Sequence, residues 1–208
     1  MHRKFTQDTI LLASNNGNKL QELLMYFSKL PGKNIKFLKP QDFGILSPEE
    51  TESTFEGNAE LKARYYSAAL NVPALADDTG VCVEGLGGLP GVHTARWVDT
   101  SSDDFGFRSV ISRVQRELKL VGNHEQFPKA KAVCALSLYW PDNKHMETFI
   151  GEMHGHLDFR YKNNEGIGFQ PVFVPNGFDI PFGEMSVEQK QLIGHRGQAF
   201  QKLLRACF

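Results

Sequence analysis

The first part of the chain has an apolar run that predicts a buried strand followed by a helix. Residues 9–13 are rich in branched apolar side chains, which favours a short buried strand. After a polar loop over residues 14–19, leucine and phenylalanine recur every three or four positions from Leu20 to Leu30. This spacing predicts a helix with one apolar face, and Pro31-Gly32 predicts its end. The unit is therefore strand, polar loop, helix.

A second helix and a second strand lead to a pair of adjacent acids. Ser53 with Glu56 three residues later is typical of a capping box, so a helix is predicted to start near Ser53 or Thr54. Residues 72–76 are apolar and predict a strand. Asp77-Asp78-Thr79-Gly80 follows at the end of that predicted strand.

The rest of the chain mixes strands and helices without strict alternation. The predicted elements are a helix over 101–119 broken or delayed near Gly106, strands over 129–140, 146–157 and 172–174, a short helix from Ser186, an interruption at 194–197 and a helix over 199–204. This mixture favours an α/β or α+β fold with a mixed sheet. We find no internal repeat or low-complexity linker, so one domain over residues 1–208 is predicted.

Composition and charge narrow the functions that remain open. A formal net charge of −1 gives the whole molecule no electrostatic footprint for nucleic acid. Cys82, Cys134 and Cys207 lack the spacing of metal ligands. No apolar run approaches the roughly 20 residues that cross a bilayer, and the first residues do not resemble a signal peptide. We therefore expect a cytoplasmic protein with neither nucleic acid nor membrane as a partner.

The strongest chemical signal is the pair Asp77 and Asp78. Magnesium prefers hard oxygen ligands and takes one or two protein carboxylates, with water and phosphate completing its shell. The segment Asp77-Asp78-Thr79-Gly80 is also good turn chemistry, so the acids alone leave both interpretations open. Glu49-Glu50, just before the second helix, is a weaker acidic pair of the kind that is usually exposed.

Two further segments carry residues suited to phosphate. The loop 14–19 precedes a helix, whose N-terminal amides and positive end favour an anion, and Lys19 adds a charge. The loop lacks the P-loop pattern, and a loop of this kind is by itself more often a plain helix cap. Lys190 with His195-Arg196 places three basic groups around a helix break, which suits phosphate or a base carbonyl. Solvated surface charge is the common alternative for such a cluster.

The polar segments occur together in an order that matches a known family. The matching segments are Ser14 to Lys19, Thr54 to Ala59 with Lys62-Ala63, Ala76 to Gly80, Gly91 to Arg96, Gly168 to Phe173 and His195 to Ala199. With these motifs the sequence closely resembles the inosine triphosphate pyrophosphatase family, also called Ham1-like. The resemblance covers nearly the whole chain.

The resemblance implies both a fold and an activity. The fold is α/β, a long curved mixed β-sheet flanked by helices, with two lobes, a central cleft and usually a homodimer. The activity is Mg²⁺-dependent hydrolysis of deaminated purine nucleoside triphosphates (ITP, dITP and XTP) to monophosphate and pyrophosphate, which cleanses the nucleotide pool. By motif position, the resemblance implies Mg²⁺ on Glu50 and Asp78, with Asp77 beside the metal. The reaction we expect is attack of water on the α-phosphorus, with Asp78 or Asp77 as the base and with Lys19 and Lys190 stabilising the transferring group.

The resemblance also implies a set of substrate contacts. Ser14 to Lys19 would hold phosphate, Lys62 and Arg96 would lie near the phosphates, and His195 and Arg196 would lie near the base. The full set of implied substrate-binding residues is Ser14, Asn15, Asn16, Gly17, Asn18, Lys19, Lys62, Thr79, Arg96, Ile167, Gly168, Phe169, Gln170, Lys190, His195 and Arg196.

The half of the site that reads the base departs from the family pattern. Ile167 stands where the family usually has phenylalanine, and an aromatic face contributes about 1–3 kcal/mol by stacking, unless Phe169 takes that role. Gln170 replaces an acid that only accepts hydrogen bonds, whereas an amide also donates. Gly194 stands where family members often have a serine. Two alternatives therefore stay open, namely a pyrophosphatase with altered base preference and a nucleotide-binding sensor without turnover.

Overall fold

A computed structural model describes residues 2–30, 34–98, 107–162 and 167–208. The chain divides into two compact units. Unit 1 comprises Met1–Asp78, Cys134–Gly151 and Arg196–Phe208, and unit 2 comprises Thr79–Val133 and Glu152–His195. A single domain over the whole chain stays a prediction.

The strands form one mixed sheet. Their bounds are β1 Thr9–Leu12, β2 Lys36–Leu38, β3 Ala74–Val83, β4 Lys129–Trp140, β5 His145–Leu157 and β6 Phe173–Pro175. In the described parts of the chain these six strands have the order β2-β1-β3-β4-β5-β6. β1 pairs in parallel with both β2 and β3, whereas β5 and β6 are antiparallel. The predicted mixed sheet is therefore confirmed.

The helices account for the remaining regular structure. The α-helices are α1 Gly17–Phe27, α2 Phe55–Leu70, α3 Phe107–Leu120, α4 Val187–Ile193 and α5 His195–Cys207. Short 3₁₀ turns cover Pro40–Phe43, Glu84–Leu86, Gly91–Trp97, Phe159–Tyr161 and Phe182–Glu184. The fold is α/β, as the sequence predicts. Within the described residues, no helix is long and apolar enough to cross a membrane.

Several predicted boundaries need correction. The predicted start of α2 near Thr54 is confirmed, but the capping box from Ser53 is wrong, because the Thr54 hydroxyl is the cap and accepts from the Gly57 backbone amide at 3.0 Å. The interruption before α5 is confined to Gly194, because α5 already begins at His195. The short strand β2 has no clear pattern in the sequence and is missed. The residues predicted to end α1 (31–32) and the break near residue 106 lie outside the described residues.

The largest correction concerns β3, which does not end at residue 76. It continues through Asp77-Asp78-Thr79-Gly80 to Val83, so the turn interpretation of this segment is wrong. The strand can hold adjacent acids because basic side chains on neighbouring helices neutralise them, as described below. Successive residues of a strand point to opposite faces of the sheet, so Asp77 and Asp78 face opposite sides.

The cores of unit 1 show what each face of β3 meets. Leu75 packs in a cluster with Leu23 of α1 and Phe200 of α5. Ala74 and Ala76, on the other face, pack with residues of α2. By alternation, Asp77 shares the face of Leu75 and lies towards α1 and α5, whereas Asp78 shares the face of Ala76 and lies towards α2. Each acid therefore has its own set of helical partners.

Unit 2 has a separate apolar core. Val81 and Val83 at the end of β3 pack with one face of α3 and with phenylalanines that follow β5. Those residues include Val110, Ile111, Val114, Leu118, Phe169, Phe173 and Phe182. This core fixes the backbone around residues 167–170, where the sequence predicts contacts to the base.

Candidate active site

Asp77 lies at the centre of a buried ion-pair network in unit 1. Its side chain is almost inaccessible, with the residue 1% exposed. The Oδ2 atom accepts from Lys19 Nζ and from an Arg196 guanidinium nitrogen, each at 3.1 Å. Burial alone would raise the pKa of the Asp77 carboxyl, but Lys19, Arg196 and Lys62 hold it well below its usual range. Asp77 is therefore a fixed anion at neutral pH.

Asp78 belongs to a second network on the opposite face of β3. Lys62 Nζ on α2 donates to Asp78 Oδ1 at 3.1 Å and to Glu50 Oε1 at 2.5 Å. The Asn58 amide donates to Asp78 Oδ2 at 3.4 Å. Asn58 and Lys62 are four residues apart on α2 and so share one face of that helix. One lysine thus neutralises two carboxylates.

The pKa shifts in this second network reflect burial and charge. Burial alone would lower the pKa of Lys62, but Asp78, Asp77 and Glu50 outweigh it and raise that pKa. Burial raises the pKa of Asp78, and the neighbouring Glu50 adds to the rise, whereas Lys62 and Lys19 oppose it. The ammonium group of Lys62 is therefore held firmly protonated between two acids.

The donor set around Lys62 suits a hard divalent cation. Glu50 and Asp78 already converge on one cationic position, and magnesium takes one or two protein carboxylates, with water and phosphate as its other ligands. Among residues with described positions, no group of three or more His, Cys, Asp or Glu side chains is arranged to hold a metal ion. The two carboxylates therefore fit a Mg²⁺ that takes much of its shell from a bound phosphate chain.

In the loop before α1, Asn16 is a helix cap. Its side-chain oxygen accepts from the backbone amides of Asn18 at 3.0 Å and Lys19 at 3.3 Å. Ser14 Oγ accepts from the Asn16 amide, and the Asn15 side chain donates to hydroxyl groups outside the loop. The capping interpretation of this loop is confirmed, and a role in holding phosphate stays a prediction. Gly17 and Asn18 form the exposed first turn of α1.

In unit 2 the predicted residues Lys190 and His195 lie beside the same aromatic ring. Lys190 Nζ donates to the Gly183 carbonyl at 2.6 Å and lies 5.9 Å from the centre of the Phe182 ring. The imidazole of His195 lies 6.4 Å from that ring, centroid to centroid. The structure therefore brings Lys190 and His195 together around Phe182. Arg196, the third member of the predicted basic cluster, belongs to unit 1 and pairs with Asp77.

The segment predicted to read the base is a tight turn in unit 2. The backbone N–H of Gln170 donates to the Ile167 carbonyl at 3.3 Å. Gly168 has a φ of +66°, a conformation that favours glycine. Phe169 is 5% exposed and packs in the core, whereas Ile167 is 50% exposed. Phe169 therefore does not present a ring face, and Ile167 supplies the accessible apolar surface. Gln170 is half-buried.

Gly194 has no space for the serine that the family often carries. A Cβ atom there would overlap the Lys190 carbonyl oxygen and lie 3.0 Å from Cζ of Phe182. A serine would therefore require the backbone between α4 and Gly194 to move. The local packing therefore requires glycine at position 194.

The other two predicted residues also belong to unit 2. Thr79 follows the acid pair in β3 and is half-buried, and Arg96 lies exposed near the end of the turn Gly91–Trp97. Contacts of either residue with a nucleotide stay a prediction.

The sequence interpretation missed two residues of the networks in unit 1. Asn58 donates to Asp78, and Glu22 accepts from Arg196. Helical spacing was the available signal, because Asn58 lies four residues before Lys62 and Glu22 lies three residues after Lys19. A polar residue on the same helix face as a predicted site lysine is a candidate member of that site.

Together, the fold and these networks define an α/β protein with adjacent strand acids neutralised by basic side chains from flanking helices. A model of the Ham1 family matches residues 10–206. A dITP/XTP pyrophosphatase of Rhodospirillum centenum is 40% identical over 99% of this chain and 98% of its own length. A dITP/XTP pyrophosphatase of Ruegeria pomeroyi is 36% identical over 100% and 99%.

Solved structures of Ham1 proteins have the same fold as this chain. A HAM1 protein from Coxiella burnetii superposes with a TM-score of 0.82 at 30% identity, over 95% of this chain and 96% of that one. The Staphylococcus aureus Ham1 protein gives a TM-score of 0.79 at 29% identity, with the same coverage. The chain belongs to the Ham1 family.

Proposed function

We propose that the chain is a nucleoside-triphosphate pyrophosphatase that hydrolyses the deaminated purine nucleotides dITP, XTP and ITP to monophosphate and pyrophosphate. Family membership and the activity named for its relatives support this proposal. The observation that carries it is the pair of strand acids, Asp77 and Asp78, each neutralised by basic side chains that can also engage phosphate. A homodimer and a cytoplasmic location are also proposed, from the family resemblance alone.

The phosphate half of the reaction can be assigned to residues of unit 1. Glu50 and Asp78 would hold Mg²⁺, which when bound neutralises phosphate charge and acidifies a bound water. Asp78 shares the Lys62 ammonium group with Glu50 and would position or deprotonate the water that attacks the α-phosphorus. Asp77, the alternative base, is the poorer proton acceptor, because it is buried and Lys19 and Arg196 keep its pKa low. Lys19 would stabilise the charge that develops on the phosphate chain.

A pyrophosphate-release panel tests the proposed function. Purified protein is assayed with ITP, XTP, dITP, GTP and ATP, with magnesium and again with a chelator. We expect release from the first three substrates, a large excess of ITP turnover over GTP turnover, and loss of activity with chelator. Equal rates with ITP and GTP would contradict the deaminated-base assignment. Nucleotide binding without any pyrophosphate formed would favour the sensor alternative.

A pyrophosphatase with altered base preference is the second candidate, and the exposed Ile167 favours it. Replacing Ile167 by phenylalanine adds an aromatic face at an accessible position, and stacking is worth about 1–3 kcal/mol. We expect Ile167→Phe to lower KM for ITP by about fivefold or more, with a smaller change in kcat. Steady-state kinetics with ITP and XTP measure the effect.

The matched control is Leu192→Phe, which adds a ring at another exposed apolar position of unit 2. It should leave KM unchanged. An unchanged KM in Ile167→Phe would place the base away from residue 167.

A further inference from the structure

The loop of residues 47–52, just before α2, lies along one face of that helix. Three residues of α2 bind the loop, namely Asn58, Lys62 and Tyr66, and their spacing of four places them on one helix face. The loop has no regular secondary structure, so the position of its backbone depends on side-chain contacts such as these. Glu50, a proposed Mg²⁺ ligand, lies within this loop.

The contacts of Asn58 and Lys62 fix one end and the middle of the 47–52 loop. The Asn58 side chain accepts from the backbone N–H of Glu52 at 3.0 Å and donates to the Glu52 carbonyl at 3.3 Å. Lys62 Nζ binds the Glu50 carboxylate at 2.5 Å, and the Glu50 side chain is still 29% exposed. Because a glutamate has several rotatable bonds, this ion pair by itself does not fix the backbone of Glu50.

The other end of the loop is held by the Tyr66 hydroxyl, which donates to Ser47 Oγ at 3.2 Å. Tyr66 is 1% exposed, and its ring packs with side chains of β1 and β3. The position of the hydroxyl is therefore set by the core of unit 1. The Asn15 side chain donates to Ser47 Oγ at 2.8 Å and to the Tyr66 hydroxyl at 3.0 Å, so the loop before α1 is tied to the same point.

We propose that Tyr66 is a positioning residue of the active site, whose hydroxyl anchors the 47–52 loop and thereby holds the carboxylate of Glu50 in place for Mg²⁺. The anchor acts through Ser47, three residues before Glu50. The link to the metal rests on the proposed function, whereas the anchoring of the loop does not. The test therefore has one arm that needs neither metal nor nucleotide.

The first arm is proteolysis of the native protein by a glutamate-specific protease. Glu49 and Glu50 are cleavage sites within the loop, and cleavage of a folded protein requires local opening. Tyr66→Phe keeps the buried ring and removes the hydroxyl. We expect cleavage at the two loop sites to become about fivefold faster, the size of one average hydrogen bond, and cleavage after Glu60 within α2 to stay unchanged.

The second arm measures Mn²⁺ binding to the nucleotide-free protein by electron paramagnetic resonance, since Mn²⁺ prefers the same oxygen ligands as Mg²⁺. Tyr66→Phe should weaken Mn²⁺ binding about fivefold. It should raise the Mg²⁺ concentration for half-maximal pyrophosphate release by about the same factor, with kcat at saturating Mg²⁺ within about twofold of wild type.

Ser47→Ala should have an effect at least as large as that of Tyr66→Phe in both arms. Adding Tyr66→Phe to Ser47→Ala should change nothing further, because the two hydroxyls form one bond. The matched control is Tyr139→Phe, which removes a hydroxyl from a tyrosine packed against the same core cluster as Tyr66. Tyr139→Phe should match the wild type in both arms.

Three results would overturn the inference. Unchanged cleavage at the two loop sites in Tyr66→Phe would show that the hydroxyl does not anchor the loop. An equal rise in cleavage after Glu60 would show that it only stabilises α2. Faster cleavage of the loop with unchanged Mn²⁺ binding would remove the link to the metal. A wild-type protein that neither binds Mn²⁺ nor releases pyrophosphate would instead overturn the proposed function, and the proteolysis would still decide whether Tyr66 anchors the loop.

Discussion

Asp78→Asn is expected to lower magnesium-dependent pyrophosphate release by at least about a hundredfold, the size of a lost general base. The amide keeps the shape of the side chain but removes the charge that faces Lys62, and it leaves Glu50 as the only acid of the pair proposed for the metal. The measurement is initial-rate kinetics with ITP over a range of magnesium concentrations.

The control for this substitution is Asp142→Asn. Asp142 also pairs with a basic residue, Arg3, but it lies on the surface of unit 1. The Asp142→Asn variant should retain wild-type activity. Near-normal pyrophosphate release from Asp78→Asn would show that Asp78 is neither the base nor a required metal ligand.

Asp77→Asn is expected to have the largest effect on stability. It leaves Arg196 and Lys19 beside a buried amide, and removing one partner of a buried ion pair costs about 3–5 kcal/mol. For a chain of this size the melting temperature should fall by roughly 10 °C. Urea denaturation gives the free energy of unfolding, and a thermal melt gives the midpoint.

Asp142→Asn serves again as the matched control, because it makes the same substitution in an exposed pair with arginine. Its denaturation curve should overlay that of the wild type, since surface ion pairs contribute little. If Asp77→Asn were as stable as Asp142→Asn, the network around Asp77 would not hold unit 1 together.

Much of the fold follows from local patterns in the sequence. Strand β4 begins and ends as predicted, because its long run of apolar residues is bounded by polar segments. Ser186 and Gln189 form a capping box at the start of α4, in which the side chain of each accepts from the backbone N–H of the other. This sequence pattern makes the start of the helix predictable. By contrast, β2 is three residues long, and so short a strand carries no recognisable alternation.

The acid pair shows where local patterns fail. Aspartate is depleted in strands, so Asp77-Asp78 reads locally as a turn. The strand continues because Lys19, Lys62 and Arg196 neutralise the acids from three different helices, two of which are distant in sequence. Arg196, for example, is 119 residues from Asp77. Such contacts form only when the fold brings the helices onto the sheet, and no spacing rule predicts them.

The family motifs indicated the two acids, the lysines and the loop that caps α1. They did not indicate which of the lysines would pair with Asp77 and which with Asp78 on the two faces of β3. Asn58 and Glu22 complete the two networks. Asn58 lies inside the matching segment Thr54 to Ala59, whereas Glu22 was visible only as a polar residue at helical spacing from Lys19. The guanidinium of Arg196 pairs with Asp77 and Glu22 in the structure, and its contact with a base stays a prediction.

The products formed from dITP in ¹⁸O-labelled water, followed by ³¹P NMR and mass spectrometry, test the central claim most directly. Attack of water on the α-phosphorus predicts pyrophosphate and dIMP, with the label in the monophosphate and unlabelled pyrophosphate. The reaction should stop when magnesium is chelated. Formation of inorganic phosphate and dIDP, or label in the pyrophosphate, would contradict the proposed pyrophosphatase.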